Sequence, residues 1–234
     1  MDPSKREARL QRRRSEQRRG QIRWLIYIVI AAVIVTGLLI WGNQVRPPIE
    51  ERTYTNPDGL SLGNPEAQVL LIEVADFQCP VCQNHYINIE HQIITEYVDT
   101  GLVRYIYQPV GFLDRGNSTE SSQAAEASYC AADQNKFWEY HDVLFANQAG
   151  ENVGSFLDDR LIAFAESINL DMEAFESCLL NDEKAETLAD AEAAAFGMGI
   201  QSIPSFIING QVYTGLRPFE ELSQIIDDAL AAAQ

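Results

Sequence analysis

Four residues constrain this chain more than any others: Cys79-Pro80-Val81-Cys82 stand where one backbone period gives way to another. Before them, 68–75 reads QVLLIEVA, a short apolar and β-branched run that predicts a buried strand. After them, apolar positions at Ile87, Ile89, Ile93, Ile94, Tyr97 and Val98 predict a helix over 80–98. Pro80 suits its first turn, where a missing N–H costs no hydrogen bond. Gly101 is expected to end that helix, and 102–110 reads as a second strand, which completes a β-α-β unit.

A cysteine pair at a strand-to-helix junction points to redox chemistry on three grounds. A helix N-terminus stabilises an anion, so the first thiol ionises below its free value of about 8.5. Pro80 stiffens the turn and keeps both sulfurs close. Cys79 lies at the exposed tip and Cys82 one turn in, so that one attacks and the other resolves. The rival reading is zinc, which usually takes four ligands. A second C-x-x-C or H-x-x-x-H pair is missing, although His85 and His91 follow on the same helix. The remaining cysteines, Cys130 and Cys178, read either as a structural disulfide or as two buried free thiols.

Beyond the β-α-β unit, 117–197 reads helical in several pieces, among them 136–147, 156–167 and 171–180, with Asp171 as N-cap of the last. Then SFIIN and QVYT form two strands joined through Asn209-Gly210, the strongest short hairpin signal. A final helix follows over 218–232, with Glu220 and Glu221 in its first turn, where negative charge suits the dipole. The order is that of an α/β chain with a thioredoxin-like fold and an inserted helical subdomain.

Charge divides the chain. With 17 Lys+Arg against 34 Asp+Glu the net charge is −17, which argues against general nucleic-acid binding. At 46% hydrophobic residues the chain has enough apolar content to exclude wholesale disorder. Residues 1–23 hold nine basic and three acidic residues, a charge of +6, so the remainder carries −23. Between the two lies an uncharged run of 18 residues, 24–41, with Trp24 and Trp41 at its ends. As a helix it would span roughly 27 Å. This predicts one N-terminal transmembrane helix in the cytoplasmic membrane, with the basic tail in the cytoplasm and the rest outside. A cleaved signal peptide and a buried core helix are the alternatives. The expected organisation is a basic tail over 1–23, an anchor over 24–41 and a linker over 42–67. A first thioredoxin-like part follows over 68–116, then the helical subdomain over 117–197 and a second part over 198–234. Within the linker, Leu60-Ser61-Leu62 is a candidate edge strand.

FQCPVC, FWEYHDVLF, FESCLL and SIPSFIING together resemble the DsbA-like thiol:disulfide oxidoreductases, and within them the membrane-anchored bacterial thioredoxin-like group. The resemblance covers about 60–232 and implies residue roles. Cys79 matches the nucleophile and Cys82 the resolving cysteine. Pro204 matches a proline that adopts a cis peptide bond facing the disulfide, and Ile203 would pair with an extended substrate by strand addition. An ordinary strand-entry proline is the alternative. Glu73 matches a buried acid that would accept a proton from Cys82. Independently, a carboxylate inside LLIEVA is expensive to bury and should have a reason, unless it reaches solvent at the strand end. Val81 departs from the pattern, because the best-known oxidases carry His there. His85, His91 and His141 have no clear role, with a solvated helix face the simpler reading for His85, while Phe137 and Trp138 read as core.

The resemblance implies a membrane-anchored dithiol oxidase. It would act on reduced exported proteins and be reoxidised by a membrane quinone-linked partner, as a monomer with no bound cofactor and no metal. A reductase or isomerase on the same scaffold, and a non-catalytic anchored chaperone or binding module, are the alternatives.

Overall fold

The structure is a computed structural model that describes residues 24, 27–37, 45–48 and 52–233. It divides into two units, Met1–Gln44 and Val45–Gln234.

In the first unit the expected transmembrane anchor over 24–41 is overturned. Among the described residues no helix is long and apolar enough to cross a membrane. The helical residues described in the apolar run are Trp24 and 27–37. An uninterrupted stretch of that length reaches only about 16 Å, roughly half of a hydrocarbon core. The other positions of the run lie outside the described residues. The cytoplasmic tail, the location outside the membrane and the membrane quinone-linked partner all depended on that anchor and lose their support with it.

The second unit is built on five strands: β1 (Ser61–Leu62), β2 (Val69–Ala75), β3 (Val103–Pro109), β4 (Ser205–Ile208) and β5 (Gln211–Thr214). They form one sheet in the order β1-β3-β2-β4-β5. β2 is central, parallel to β3 and antiparallel to β4. β-branched and leucine side chains suit a strand covered on both faces, and five of the seven β2 residues are buried, Glu73 among them.

β2 and β3 are joined by one continuous helical run over 80–98, α1. Its turns alternate between α (Pro80–His85, His91–Ile93) and the wider π form (Tyr86–Glu90, Ile94–Val98). Gly101 closes the run in the left-handed region at φ +79°, which costs a glycine little. The N–H groups of Gly101 and Leu102 then donate to the carbonyls of Val98 and Tyr97 at 2.9 and 3.0 Å.

Between β3 and β4 lie α2 (Glu120–Ala132), α3 (Phe137–Asn147), α4 (Asp158–Ser167), α5 (Met172–Leu180) and α6 (Ala185–Gly197). Asp171 caps α5, its carboxylate accepting from the Ala174 N–H at 3.2 Å. β4 and β5 form a hairpin through Asn209 and Gly210, both at positive φ, and α7 (Phe219–Ala232) follows.

The stretch read as a linker does more than tether. β1 pairs with the free edge of β3. Upstream, Asn147 grips the backbone of Arg46 at two points: its Oδ1 accepts from the Arg46 N–H at 2.7 Å, and its Nδ2 donates to the Arg46 carbonyl at 2.8 Å. Arg52 and Tyr54 reach into the interior from the same stretch.

Cys130 of α2 and Cys178 of α5 are joined by a disulfide, with Cα atoms 5.9 Å apart and 48 residues of separation. Closing a loop of that length removes freedom mainly from the unfolded chain and stabilises the fold by about 2–4 kcal/mol. Replacing both cysteines by Ala should lower the unfolding free energy by that amount in denaturant titration. The difference from wild type should vanish when both proteins are unfolded in reductant.

Candidate active site

Cys79 is the N-cap of α1. Its backbone is extended (φ −71°, ψ 116°), and its Sγ accepts from the Cys82 N–H at 3.3 Å. Neither thiol is in a disulfide, and both are buried, Cys82 completely and Cys79 to 5% exposure. Pro80 and Val81 form the exposed crest between them.

Burial and hydrogen bonding push the two thiols apart. Cys79 is held below its ordinary value, first by the hydrogen bond from the Cys82 side chain. The N–H groups of Cys82 and Val81 reinforce this against the opposing effect of burial. Cys82 is pushed well above its ordinary value by burial first, then by the hydrogen bond it gives to Cys79 and by the Cys79 charge. The surroundings of Cys79 thus favour its thiolate, and those of Cys82 disfavour one.

Glu73 lies one layer below, fully buried, and accepts a hydrogen bond from the Tyr105 hydroxyl of β3. His85 Nε2 stands 3.3 Å from Glu73 Oε2. Burial, and next the charge of Glu90, raise the Glu73 carboxyl to about 8, outweighing the Tyr105 hydrogen bond and His141. His85 is driven down to about 4 by its own burial, so at neutral pH both partners are uncharged. His85 is therefore no solvated helix position: its ring packs on Phe206 of β4 at 4.8 Å.

Deeper still is a set of charges that sequence reasoning missed. Arg52 Nη1 meets Glu90 Oε1 at 2.7 Å, its Nη2 donates to the Tyr86 carbonyl at 3.0 Å, and its guanidinium covers the Tyr86 ring at 4.2 Å. His141 Nε2 lies 3.4 Å from Glu90 Oε2, and its Nδ1 lies 3.2 Å from Asp142 Oδ1. The Tyr54 hydroxyl donates to Asp142 at 2.7 Å. Burial alone would lower His141, but Glu90 and Asp142 hold it up at about 9. Burial would likewise raise Glu90, but His141 and Arg52 keep it below the ordinary carboxylate value. No helical or strand period reveals such a cluster, because its members come from three segments: the stretch before β1, α1 and α3.

The approach to Cys79 is also clamped. Asp76 accepts from the Gln78 N–H at 2.8 Å and the Leu113 N–H at 3.0 Å. Gln78 donates to Ser121 Oγ at 2.8 Å and accepts at its carbonyl from Gln148 at 2.8 Å. Burial raises the Asp76 carboxyl to about 6. An Asp two residues before a backbone N–H it can capture is a recognisable turn signal, and it stood in the sequence directly before the cysteines.

The Ile203–Pro204 peptide is cis. Ser205 pairs with Val74, so one step further along the register Pro204 comes beside Ala75, at the end of β2 that leads to Cys79. The Pro204 carbonyl accepts from the Gly215 N–H at 2.8 Å, whereas among the described residues neither backbone group of Ile203 has a backbone partner. Among the described residues, no three or more His, Cys, Asp or Glu side chains come together in a metal-holding arrangement.

Comparison with known proteins fits this geometry. The thioredoxin family profile matches residues 55–228. Over 172 residues, 74% of this chain, the sequence is 32% identical to "Na(+)/H(+) antiporter NhaA 3" of Salinispora tropica, and covers 25% of that protein. The chain thus spans about a quarter of the length of the antiporter relatives it matches. It is 26% identical over 209 residues to "Probable disulfide bond formation protein D" of Bacillus cereus, covering 88% of this chain and 94% of the relative. Among solved structures, oxidised BdbD from Bacillus subtilis superposes with a TM-score of 0.67 at 22% identity, covering 78% of this chain and all of the other. Reduced DsbG from Mycobacterium tuberculosis gives 0.58 at 26% identity, covering 77% and 92%. The chain belongs to the thioredoxin family, with the fold of the DsbA-like oxidoreductases and with Cys79 and Cys82 as its candidate redox-active pair.

Proposed function

We propose that this chain is a thiol:disulfide oxidase acting on protein dithiols. The observation that carries the reading is the opposed setting of the two sulfurs: Cys79 caps the helix and accepts an N–H, which favours its thiolate, while Cys82 is fully buried beneath it, which disfavours one. In oxidation, a client thiolate attacks Cys79 Sγ of the Cys79–Cys82 disulfide. That S–S bond breaks, its electron pair leaves on Cys82, and a mixed disulfide forms. Cys82 is a poor leaving group unless a proton reaches it, and Glu73, neutral at pH 7 and close enough to Cys82 to feel its charge, donates one. The client's second thiolate then attacks the client sulfur, and Cys79 leaves as the better thiolate. The client loses two electrons and the cysteine pair gains them. In the reverse direction Glu73 takes the proton from Cys82.

Ile203 and Pro204 bind the client in this reading. The free backbone groups of Ile203 pair with an extended client segment beside the end of β2. Pro80 and Val81 form the exposed crest the client meets, and the Cys130–Cys178 bridge holds the helical part together. Relatives named for disulfide bond formation support the direction of the reaction.

A second reading, reductase or isomerase, is favoured by Val81. It stands 43% exposed in the crest and brings no charge to the Cys79 thiolate. Equilibration with glutathione separates the two. A reduction potential toward about −120 mV belongs to an oxidant, and one near about −270 mV to a reductant.

Two further outcomes are expected. Cys79→Ser should abolish oxidation of a reduced two-cysteine peptide by the pre-oxidised protein in a single turnover, and undiminished activity would end the proposal. Glu73→Gln should slow mixed-disulfide formation about 100-fold at neutral pH. Because only the protonated carboxyl donates, the ratio of wild-type to variant rate should be largest below pH 8 and fall as Glu73 ionises. Stopped-flow measurement of both proteins on one peptide cancels the ionisation of the client.

A further inference from the structure

The segment before β1 supplies Arg52 and Tyr54 to the interior, and neither is explained by tethering. Arg52 binds Glu90 at 2.7 Å and Tyr54 binds Asp142 at 2.7 Å, while His141 lies between the two carboxylates at 3.4 and 3.2 Å. His141 is enclosed by six aromatic rings with centroids 4.7–6.0 Å away: Phe77, Tyr86, Tyr107, Phe137, Trp138 and Phe145. Two of these lead to the reacting centre, since Phe77 is two residues before Cys79 and Tyr107 is the register partner of Glu73. In a medium emptied of water these charges are poorly screened, so Glu73 must respond to them.

We propose that Arg52, Glu90, His141 and Asp142 form a positioning cluster that sets the protonation of Glu73. This rests on the proton-donor role of Glu73 given above. Two cations stand against two carboxylates, which leaves the cluster balanced while Glu73 is neutral. Ionising Glu73 adds a negative charge to this balanced set, in which Arg52 and His141 already face Glu90 and Asp142. Removing a cation leaves an excess negative charge and should make Glu73 hold its proton more tightly.

Among the described residues, the titratable groups around Glu73 and the cluster come from several elements. From β3 come Tyr105 and Tyr107, from α1 His85, Tyr86 and Glu90, and from its tip Cys79 and Cys82. From α3 come His141 and Asp142, and from the first segment Arg52 and Tyr54. His85 is neutral in the working range, so it does not replace His141 as the cation.

The test reads Glu73 directly and needs no client. In the full-length reduced protein, the infrared band of a protonated buried carboxyl, identified by its loss in Glu73→Gln, is followed against pH. In wild type it should disappear with a midpoint near 8. His141→Asn and Arg52→Gln should each raise the midpoint by about one pH unit or more, and Arg52→Lys should bring it back to the wild-type value. Midpoints that coincide with wild type, or move downward, overturn the proposal. So does an Arg52→Lys that behaves like Arg52→Gln, because the effect would then be one of shape. If His141→Asn fails to fold, the Arg52 pair decides alone, since that side chain lies outside β2, α1 and α3. A protein that shows the shifts but oxidises no client overturns the oxidase reading and leaves the cluster standing.

Discussion

The fold is organised around the burial of charge beneath a redox helix. Glu73, Glu90, His141 and Asp142 are all sealed from solvent, and Arg52 closes the set from the edge. An isolated buried ion costs several kcal/mol, so such groups persist only when their partners are fixed in place. That requirement ties together four segments otherwise far apart in the chain. β2 must carry Glu73 to the level of α1, α1 must turn Glu90 inward, α3 must bring His141 against it, and the stretch before β1 must return Arg52 and Tyr54. Removing one partner strands the charge of another, which makes the arrangement a specificity device as much as a source of stability.

The asymmetry of the cysteine pair follows from depth in the same interior. Cys79 caps a helix and receives N–H groups that favour its thiolate, while Cys82, one turn further in, meets a setting that rejects charge. The clamp formed by Asp76 and Gln78 holds the approach to Cys79 against the helical insertion. The disulfide between α2 and α5 braces that insertion. The chemistry is thus set by where the strand ends and the helix begins, and the inserted helices keep that junction rigid.

Much of this was legible in residue order. The apolar, β-branched run before Cys79, the helical period after it and the Asn209-Gly210 turn each specify local backbone through contacts within a few residues, and β2, α1 and the β4–β5 hairpin lie where those signals fall. The apolar run over 24–41 misled, because hydropathy and flanking charge describe composition and say nothing of how many of those residues join one helix. Among the described residues, none of the helices is long and apolar enough to cross a membrane. His85 misled for a different reason. Helical spacing leaves its side at the margin of the buried face, and only the packing of Phe206 across the sheet closes over it.

The one-dimensional chain was sufficient for the strand-to-helix junction, the two sulfurs placed on it and the acidic residue inside the strand before it, because each is a short-range matter of period, turn chemistry and residue type. Tertiary structure alone decided the environment of that acid. Whether Glu73 is neutral or charged depends on His85, Glu90, Tyr105 and His141, which stand 12, 17, 32 and 68 residues away along the chain and meet it only after the sheet and helices have packed. Electrostatic interaction is long-ranged in a dry interior, and its sum is fixed by distances that no local pattern encodes.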